Sequence, residues 1–400
     1  MIIVSGCAQQ EKQPTATIDQ PATTTEKKQP PPEIPKGILV HKVPESADII
    51  FSSIRYALSD IDCLDKDYNV KKNFINDAAC NRHIYNPEGS GLGSPKQLFA
   101  MDMETGDVVQ ITNTDCFFSG GQVVNSTTIM VIAACSDTDD DGIIGDRDNK
   151  ELYYLDLATG DMDCLTCDYG FSAINNSDYS PITDKVLFSG ALSGWGSNKL
   201  YTIDADKNLV NITDDEEYTD FDCSWSEDAE KIVLSRLPQQ DFPWTIPAQV
   251  WLMDSDGTKQ KKITDGGPNL SNEEPQGPYP IGIDADPDLS PDNKKIVFSR
   301  LKTAKKNVPF GVYELVVIDV DTKQEEVLDS QYANMLPQWK AEGILFIRQI
   351  GSNTVKDKRE IDPMSVTQSL YVYKDGTFQE LEEYPYNVFP LGAYDGSQIK

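Results

Sequence analysis

The sequence predicts an all-β protein. Three observations support this fold class: a hairpin pattern that recurs along the chain, a second strand pattern between the hairpins, and incomplete copies of the repeat at both ends. The clearest hairpin lies at residues 152–166, where apolar residues alternate with polar or aromatic ones, turn at Thr159-Gly160 and resume as a short strand. Alternation interrupted by a turn of Asp, Asn or Gly is typical of a β-hairpin.

This hairpin occurs six times along the chain. In five copies the first strand ends in an aspartate, and successive aspartates are about 48 to 65 residues apart, in the size range of propeller blades. The sixth copy runs through Tyr373 to Gly376. The five aspartates are Asp102, Asp156, Asp204, Asp254 and Asp319.

A second recurring pattern lies between the hairpins and predicts the inner half of each blade. Its clearest copy is residues 223–235, residues 289–299 match it closely, and weaker copies lie at 179–189 and 338–346. Together with the hairpin, these residues resemble the WD40-like (PD40) repeat of TolB-type six-bladed β-propellers, over about residues 47 to 395. The resemblance implies a six-bladed β-propeller that takes part in protein interactions.

The two ends of the repeat region complete each other. Residues 47–53 resemble the second strand of a blade, as at 295–299, so the first blade lacks its inner strand. Residues 387–396 resemble an inner strand with no blade after it. We therefore expect the C-terminal strand to join the N-terminal blade and close the ring, which removes open sheet edges.

Composition and charge limit the class of ligand. The net charge is −30, and the sequence contains no basic stripe of the kind that binds phosphates, which excludes a nucleic acid partner. An acidic surface that aids solubility explains this charge, and attraction for cations is the functional alternative. The 17 Tyr and 14 Phe residues supply enough apolar surface for the interfaces between blades.

The N-terminal segment predicts a lipid anchor. Residues 1–7 end in Val-Ser-Gly-Cys, which resembles the lipobox of prokaryotic lipoproteins and makes Cys7 the lipidated residue; a chance occurrence is the alternative. Only six residues precede Cys7, fewer than a secretory signal needs, so we expect the natural start to lie further upstream. Residues 8–37, rich in Pro, Thr and Gln, are expected to be a disordered linker, and residues 38–400 form the propeller.

The cysteines fit an exported chain that contains disulfides. Apart from Cys7 there are seven, so at least one is unpaired or bonded elsewhere. We expect the pairs Cys63–Cys80 and Cys116–Cys135. The CxxC spacing of Cys164 and Cys167 favours a structural bridge or plain thiols over a redox or zinc site, because it follows a hairpin and no second CxxC occurs.

The most specific local motif is an EF-hand-like loop at residues 137–148. Its order D-x-D-x-D-G, with a further acid at loop position 12, is the spacing that places oxygen ligands around Ca²⁺. The flanking segments predict strands, so the loop is expected between the second and third strands of the second blade, where Ca²⁺ would stiffen it. A solvated acidic turn is the alternative. The predicted ligands are Asp137, Asp139, Asp141, the carbonyl of Ile143, and Asp148.

Further acids precede two inner strands, at positions that in a propeller line one mouth of the central channel. These residues are candidates for ligand binding, and ordinary use in turns and caps is the alternative. They are Asp220, Asp222, Asp284, Asp286 and Asp288.

These features predict a calcium-stabilised, membrane-anchored extracytoplasmic binding module for an envelope or extracellular protein, peptide or glycan. The alternatives are a glycan-active lyase or hydrolase and a purely structural envelope protein. Similar propellers host hydrolases and sugar lyases, but the chain has only His41 and His83, so general-base catalysis would depend on carboxylates.

Overall fold

The computed structural model describes most of the repeat region and is built from β-strands and turns. Among the described residues there is no helix, and hence none long and apolar enough to cross a membrane. The described residues are 34–47, 49–54, 96–102, 105, 108–140, 144–145, 148–192, 197–239, 246–267, 283–303, 312–340, 343–351, 355–357, 360–361, 366–384 and 389–393.

The strands of the first half form antiparallel four-stranded sheets in chain order. The first sheet contains β1 (Ile49–Ile54), β2 (Lys96–Met101) and β3 (Val108–Gln110). The second contains β4 (Phe117–Asn125), β5 (Thr128–Ala134), β6 (Glu151–Asp156) and β7 (Met162–Cys164). The third contains β8 (Ala173–Ser180), β9 (Lys185–Ala191), β10 (Lys199–Asp204) and β11 (Leu209–Asn211).

The second half repeats this arrangement. The fourth sheet contains β12 (Tyr218–Trp225), β13 (Lys231–Pro238), β14 (Gln249–Asp254) and β15 (Lys261–Lys262). The fifth contains β16 (Asp284–Leu289), β17 (Lys295–Thr303), β18 (Val312–Asp319) and β19 (Glu325–Asp329). The sixth contains β20 (Ala333–Lys340), β21 (Gly343–Gly351), β24 (Val366–Lys374) and β25 (Thr377–Tyr384), with the hairpin of β22 (Val355–Asp357) and β23 (Glu360–Ile361) in between. A parallel bridge from Tyr313 to Ala333 joins the last two sheets.

The last strand, β26 (Phe389–Ala393), completes the first sheet. It pairs antiparallel with β1, with Ile50 opposite Gly392, and the strand order of this sheet is β26-β1-β2-β3. The C-terminal strand is therefore the innermost strand of the N-terminal sheet. Successive inner strands contact one another from β26 through β4, β8, β12 and β16 to β20. The predicted all-β propeller fold and its closure by the C-terminal strand are confirmed.

The core lies between neighbouring sheets and is richest at the second strand of each. Six of the seven residues of β5 are buried, and β9 has the same burial pattern. One apolar cluster joins Leu187 and Leu200 of the third sheet to Trp225 and Ile232 of the fourth. Strands covered on both faces need nearly continuous apolar sequence, and this explains the Lys-Ile-Val-Leu type of motif that recurs along the chain.

Two repeated hydroxyl contacts explain further residues of the repeat. Within four sheets, the threonine that follows the outer strand accepts a hydrogen bond from the backbone N–H of the third strand, as from Leu152 to Thr166 at 2.9 Å. Between sheets, the Ser189 hydroxyl donates to the carbonyl of Asp220 at 2.7 Å, and the Ser235 hydroxyl donates to that of Asp284 at 2.9 Å. These bonds satisfy buried polar groups, and the two serine contacts link the third sheet to the fourth and the fourth to the fifth.

The segment before β1 contacts the hairpin turn of the second sheet and the end of the outer strand of the first. The Ile38 N–H donates to the carbonyl of Gly160 at 3.1 Å, and Leu39 forms a β-bridge with Thr112. Gly160 has a φ of +73°, and a Cβ there would lie 2.8 Å from the Leu39 nitrogen. The glycine of the hairpin turn therefore allows both the left-handed turn and this close backbone approach.

Candidate functional site

The acidic loop lies between β5 and β6, the second and third strands of its sheet, as its flanking sequence predicted. Carboxylate oxygens of Asp137, Asp139 and Asp148 lie within 4.8 Å of one another. Asp140, between them, has a φ of +59°, a left-handed conformation that aspartate tolerates. The other two predicted ligands, Asp141 and Ile143, lie outside the described residues.

Asp148 is held in place by the loop itself. Its side chain is 4% exposed, and Oδ1 accepts hydrogen bonds from the Thr138 N–H at 2.5 Å and the Thr138 hydroxyl at 3.0 Å. Oδ2 accepts the Gly145 N–H at 2.7 Å. These bonds orient the carboxylate that ends the loop toward the two acids that begin it.

The three carboxylates fit a calcium ion in donor chemistry and in spacing. Calcium prefers oxygen ligands at 2.3–2.6 Å, so two ligands of one ion lie at most about 5 Å apart. The observed spacing of 4.8 Å satisfies this limit. Each carboxylate oxygen also has more than one lone-pair site, so the hydrogen bonds to Asp148 leave capacity for a cation.

The inner strands present a second set of polar side chains. An inner strand is a sheet edge with unpaired backbone N–H groups, which need acceptors. Here, side chains of one inner strand accept N–H groups of the next inner strand in the chain. The acceptor-to-donor pairs are Gln122 with Tyr179, Asn176 with Cys223, Asp178 with Trp225, Asp286 with Leu336, and Asp288 with Trp339.

Asp288 belongs to a network across three inner strands. Its Oδ1 accepts the Ser224 hydroxyl at 2.7 Å, and its Oδ2 accepts the Trp339 N–H at 2.6 Å. Burial raises the pKa of Asp288 to about 6, against the opposing effects of Lys340 and these hydrogen bonds. Burial also raises the pKa of Asp178. The main role of both carboxylates in this structure is to accept hydrogen bonds that link neighbouring sheets.

Asp222 and Asp286 occupy equivalent bulges in neighbouring inner strands and are half-buried. Both have left-handed backbones, with φ of +47° and +51°, as does Leu336 at the same position of the next inner strand. Burial raises the pKa of both carboxyls, and the nearby Asp286 raises that of Asp222 further. Leu336 is 41% exposed although it is apolar.

Asp220 and Asp284 lie on the same inner strands, but their side chains form ion pairs with the second strand of their own sheet. Asp220 is 1% exposed and accepts two hydrogen bonds from Arg236, at 2.6 and 3.1 Å. Asp284 is 0% exposed and accepts two from Arg300, at 2.7 and 3.0 Å. The structure therefore divides the five candidate aspartates: Asp220 and Asp284 pair with arginines, whereas the other three lie along the inner edges.

The sixth sheet contains a third arginine at the equivalent position of its second strand. Arg348 is opposite Asn334 in the strand pairing, as Arg236 is opposite Asp220, and its Nε donates to the Asn334 side-chain oxygen at 3.1 Å. Arg348 also pairs with Asp329. Four aromatic rings surround its guanidinium at 4.4 to 5.3 Å: Tyr332, Phe346, Tyr371 and Phe378. An arginine recurs at the same position of the second strand in the fourth, fifth and sixth sheets, and this recurrence is the sequence signal that could have identified these pairs.

The described cysteines form two disulfides. The predicted pair Cys116–Cys135 is confirmed, and Cys164 and Cys167 are bonded to each other. Cys223 is a buried free thiol. Cys7, Cys63 and Cys80 lie outside the described residues, as does His83.

No protein-family model matches the sequence, and no curated protein matches it. Similar solved structures include a protein described as TolB from Agrobacterium tumefaciens, 15% identical, with a TM-score of 0.46 over 74% of this chain and 89% of that one. TolB from Acinetobacter baumannii is 15% identical, with a TM-score of 0.41 over 75% and 79%. An oligogalacturonate lyase in complex with manganese is 14% identical, with a TM-score of 0.44 over 72% of each chain. The β-propeller assignment rests on the strand pairing of this chain itself.

Proposed function

We propose that this protein is a calcium-stabilised extracytoplasmic β-propeller, anchored to the membrane through lipid on Cys7, that acts as a binding module for a protein, peptide or glycan. The observation that carries the proposal is the convergence of Asp137, Asp139 and Asp148 within 4.8 Å. The D-x-D-x-D-G order adds Asp141 and the Ile143 carbonyl as further ligands.

Calcium binding would stabilise the loop between β5 and β6. A ligand at 100 times its Kd adds about 2.7 kcal/mol to the free energy of unfolding. We expect the melting temperature to rise when Ca²⁺ replaces chelator, and Asp139→Asn to abolish this rise.

The loop offers a matched control. Asp140→Asn removes the same charge from an exposed residue outside the cluster, at a left-handed position that asparagine tolerates, and the calcium response should persist. Identical melts of the wild type in saturating Ca²⁺ and in chelator would contradict calcium stabilisation.

The location outside the cytoplasm is supported by two disulfides among the described cysteines, because such bonds persist in oxidising compartments. The anchor rests on the Val-Ser-Gly-Cys motif at residues 4–7. Metabolic labelling with a radioactive fatty acid should label the wild type and not Cys7→Ala, and the variant should leave the membrane fraction. Equal labelling of both proteins would refute the anchor.

The partner surface that we favour is the inner edge around Asp222, Asp286 and Leu336. Left-handed backbones at non-glycine residues cost about 1 to 3 kcal/mol and are frequent at functional sites. An exposed leucine beside two carboxyls suits a partner with apolar and cationic groups. Asp178, Asp286 and Asp288 accept backbone hydrogen bonds, and this use of their carboxylates favours binding over catalysis.

Crosslinking in native membranes tests the partner surface. Leu336→Ala should abolish the specific crosslink, whereas Val327→Ala, which truncates an exposed residue on the outer strand β19, should preserve it. Crosslinks unaffected by Leu336→Ala would exclude this surface. Release of unsaturated or reducing sugar ends from a polysaccharide panel, lost in Asp222→Asn, would instead establish the glycan-active enzyme.

A further inference from the structure

The disulfide at the end of β7 joins a buried cysteine, whose sulfur accepts a backbone hydrogen bond, to a half-buried cysteine. Cys164 is 3% exposed, whereas Cys167 is half-buried and lies in the turn that follows. The Cys167 N–H donates a hydrogen bond to the Cys164 sulfur at 3.0 Å. The Tyr153 hydroxyl lies 3.9 Å from the Cys167 sulfur. A thiolate formed at Cys164 would therefore already have a backbone donor, which is a feature of reactive thiols.

Glu151 occupies a position at which the first and third sheets have a side chain that donates hydrogen bonds. Glu151 immediately precedes Leu152, whose N–H donates to Thr166, and Gln97 and Lys199 occupy the corresponding place in the first and third sheets. These two side chains donate hydrogen bonds to carbonyls leading into the next sheet: Gln97 to Thr114 and Cys116, and Lys199 to Asp215 and Tyr218.

Glu151 is thus not required by the repeat architecture, since a neutral amide occupies the position in the first sheet. The Thr166 hydroxyl, between the two cysteines in sequence, donates to Glu151 Oε2 at 2.5 Å. Burial raises the pKa of Glu151 to about 7, Thr166 lowers it, and Asp168 raises it. The neighbouring titratable groups are Asp168 in the turn and Tyr153 on the same strand, and β5 presents Ala133 opposite. What Glu151 adds to the position is a charge that changes near neutral pH.

We propose that Cys164–Cys167 is a redox-active disulfide that exchanges with external thiols, that Cys167 is the attacked sulfur, and that Glu151 is a positioning residue whose charge controls the exchange. A small-molecule thiolate attacks the Cys167 sulfur, the Cys164–Cys167 bond breaks, and Cys164 leaves as a thiolate, which then takes a proton from solvent. A second thiolate attacks the external sulfur and releases Cys167 as a thiolate, which is also protonated. Two external thiols are oxidised to one disulfide, and the protein disulfide is reduced to a dithiol.

The second disulfide of the described chain is a built-in control. Cys116–Cys135 joins the residue before β4 to the residue after β5, so it links two paired strands of one sheet. Its Cys116 is buried. Reduction of this bond therefore reports opening of the sheet, whereas reduction of Cys164–Cys167 in the proposed exchange does not.

Equilibration of the folded full-length protein in glutathione buffers, followed by acid quenching, alkylation and peptide mass spectrometry, tests the proposal. Cys164–Cys167 should open over a range of glutathione ratios in which Cys116–Cys135 stays closed and the circular dichroism spectrum is unchanged. If Cys164–Cys167 stays closed at every ratio that preserves the fold, or opens only together with Cys116–Cys135, the proposal is wrong.

Glu151→Gln tests the role of the charge, with Gln97 as its structural precedent. An ionised Glu151 repels the leaving thiolate, so removal of its charge should accelerate reduction by dithiothreitol at pH 8. The ratio of the variant rate to the wild-type rate should rise about tenfold between pH 5.5 and pH 8. A ratio independent of pH would assign Glu151 a merely structural role.

Single serine variants identify the attacked sulfur. Cys164→Ser retains Cys167, the less buried of the two cysteines, and should form a mixed disulfide with oxidised glutathione faster than Cys167→Ser does. The reverse order of rates would overturn the assignment of Cys167.

Discussion

Replacement of Arg236 by methionine should remove about 3 to 5 kcal/mol of stability, the cost of leaving a buried charge without its partner. Arg236 is fully buried and donates three side-chain hydrogen bonds, two to Asp220 and one to Gln260 at 2.6 Å. Its guanidinium also lies 5.0 and 5.1 Å from the rings of Tyr218 and Trp251. Methionine retains part of the contact with these rings but leaves the Asp220 carboxylate buried and unpaired.

Urea unfolding followed by tryptophan fluorescence measures this cost, and a double variant isolates its cause. Arg236→Met combined with Asp220→Leu should cost less than Arg236→Met alone, because no buried charge remains. The third sheet supports this expectation, since Ile174 and Gly190 form the corresponding pair there without any charge. A loss below 1 kcal/mol for Arg236→Met, or a double variant as unstable as the sum of the two single variants, would refute the reasoning.

Two further predictions follow from backbone contacts and from inner-strand charge. Gly257→Ala should destabilise the protein by about 1 to 3 kcal/mol more than Gly376→Ala in thermal unfolding. Both glycines have left-handed backbones, but only a Cβ at Gly257 would meet the Ile212 carbonyl oxygen, at 2.3 Å. Equal losses of stability in the two variants would contradict this prediction. The pKa of Asp222 is raised in the folded state. The stability that Asp222 contributes is therefore fully present below its unfolded pKa near 4, and it is lost as the pH rises through the raised pKa of the folded state. Asp222→Asn should therefore raise the melting temperature at pH 8 and leave it nearly unchanged at pH 4, whereas a parallel shift at both values would refute the assignment.

The features that could be predicted from the sequence are those encoded over short distances. The hairpins follow from alternation and turn residues within about 15 positions. The missing inner strand before residue 47 and the extra one after residue 387 predicted the closure that β26 makes with β1. Cys116 and Cys135 could be paired because they flank the predicted first two strands of one blade.

The features that were missed depend on register between distant segments. Asp178 accepts the N–H of Trp225, which is 47 residues away, and Asp288 accepts that of Trp339, which is 51 residues away. The sequence alone offers only a turn or a ligand site as the role of such aspartates. Their actual role is to accept the backbone N–H of a strand in the next sheet, and no pattern of neighbouring residues marks that role. For Asp220, the recurring arginine of the second strand was the available sequence signal, and the pairing of β12 with β13 fixes Arg236 as the partner.

The central claim is that the last strand completes the first sheet, and hydrogen exchange of a truncated chain tests it most directly. In the full chain, β1 is paired with β26 on one side and with β2 on the other. Deletion of residues 385–400 makes β1 an edge strand, so its amides that face β26 should exchange rapidly and the melting temperature should fall. Unchanged protection of β1, with an unchanged melt, would contradict the completion of the first sheet by β26.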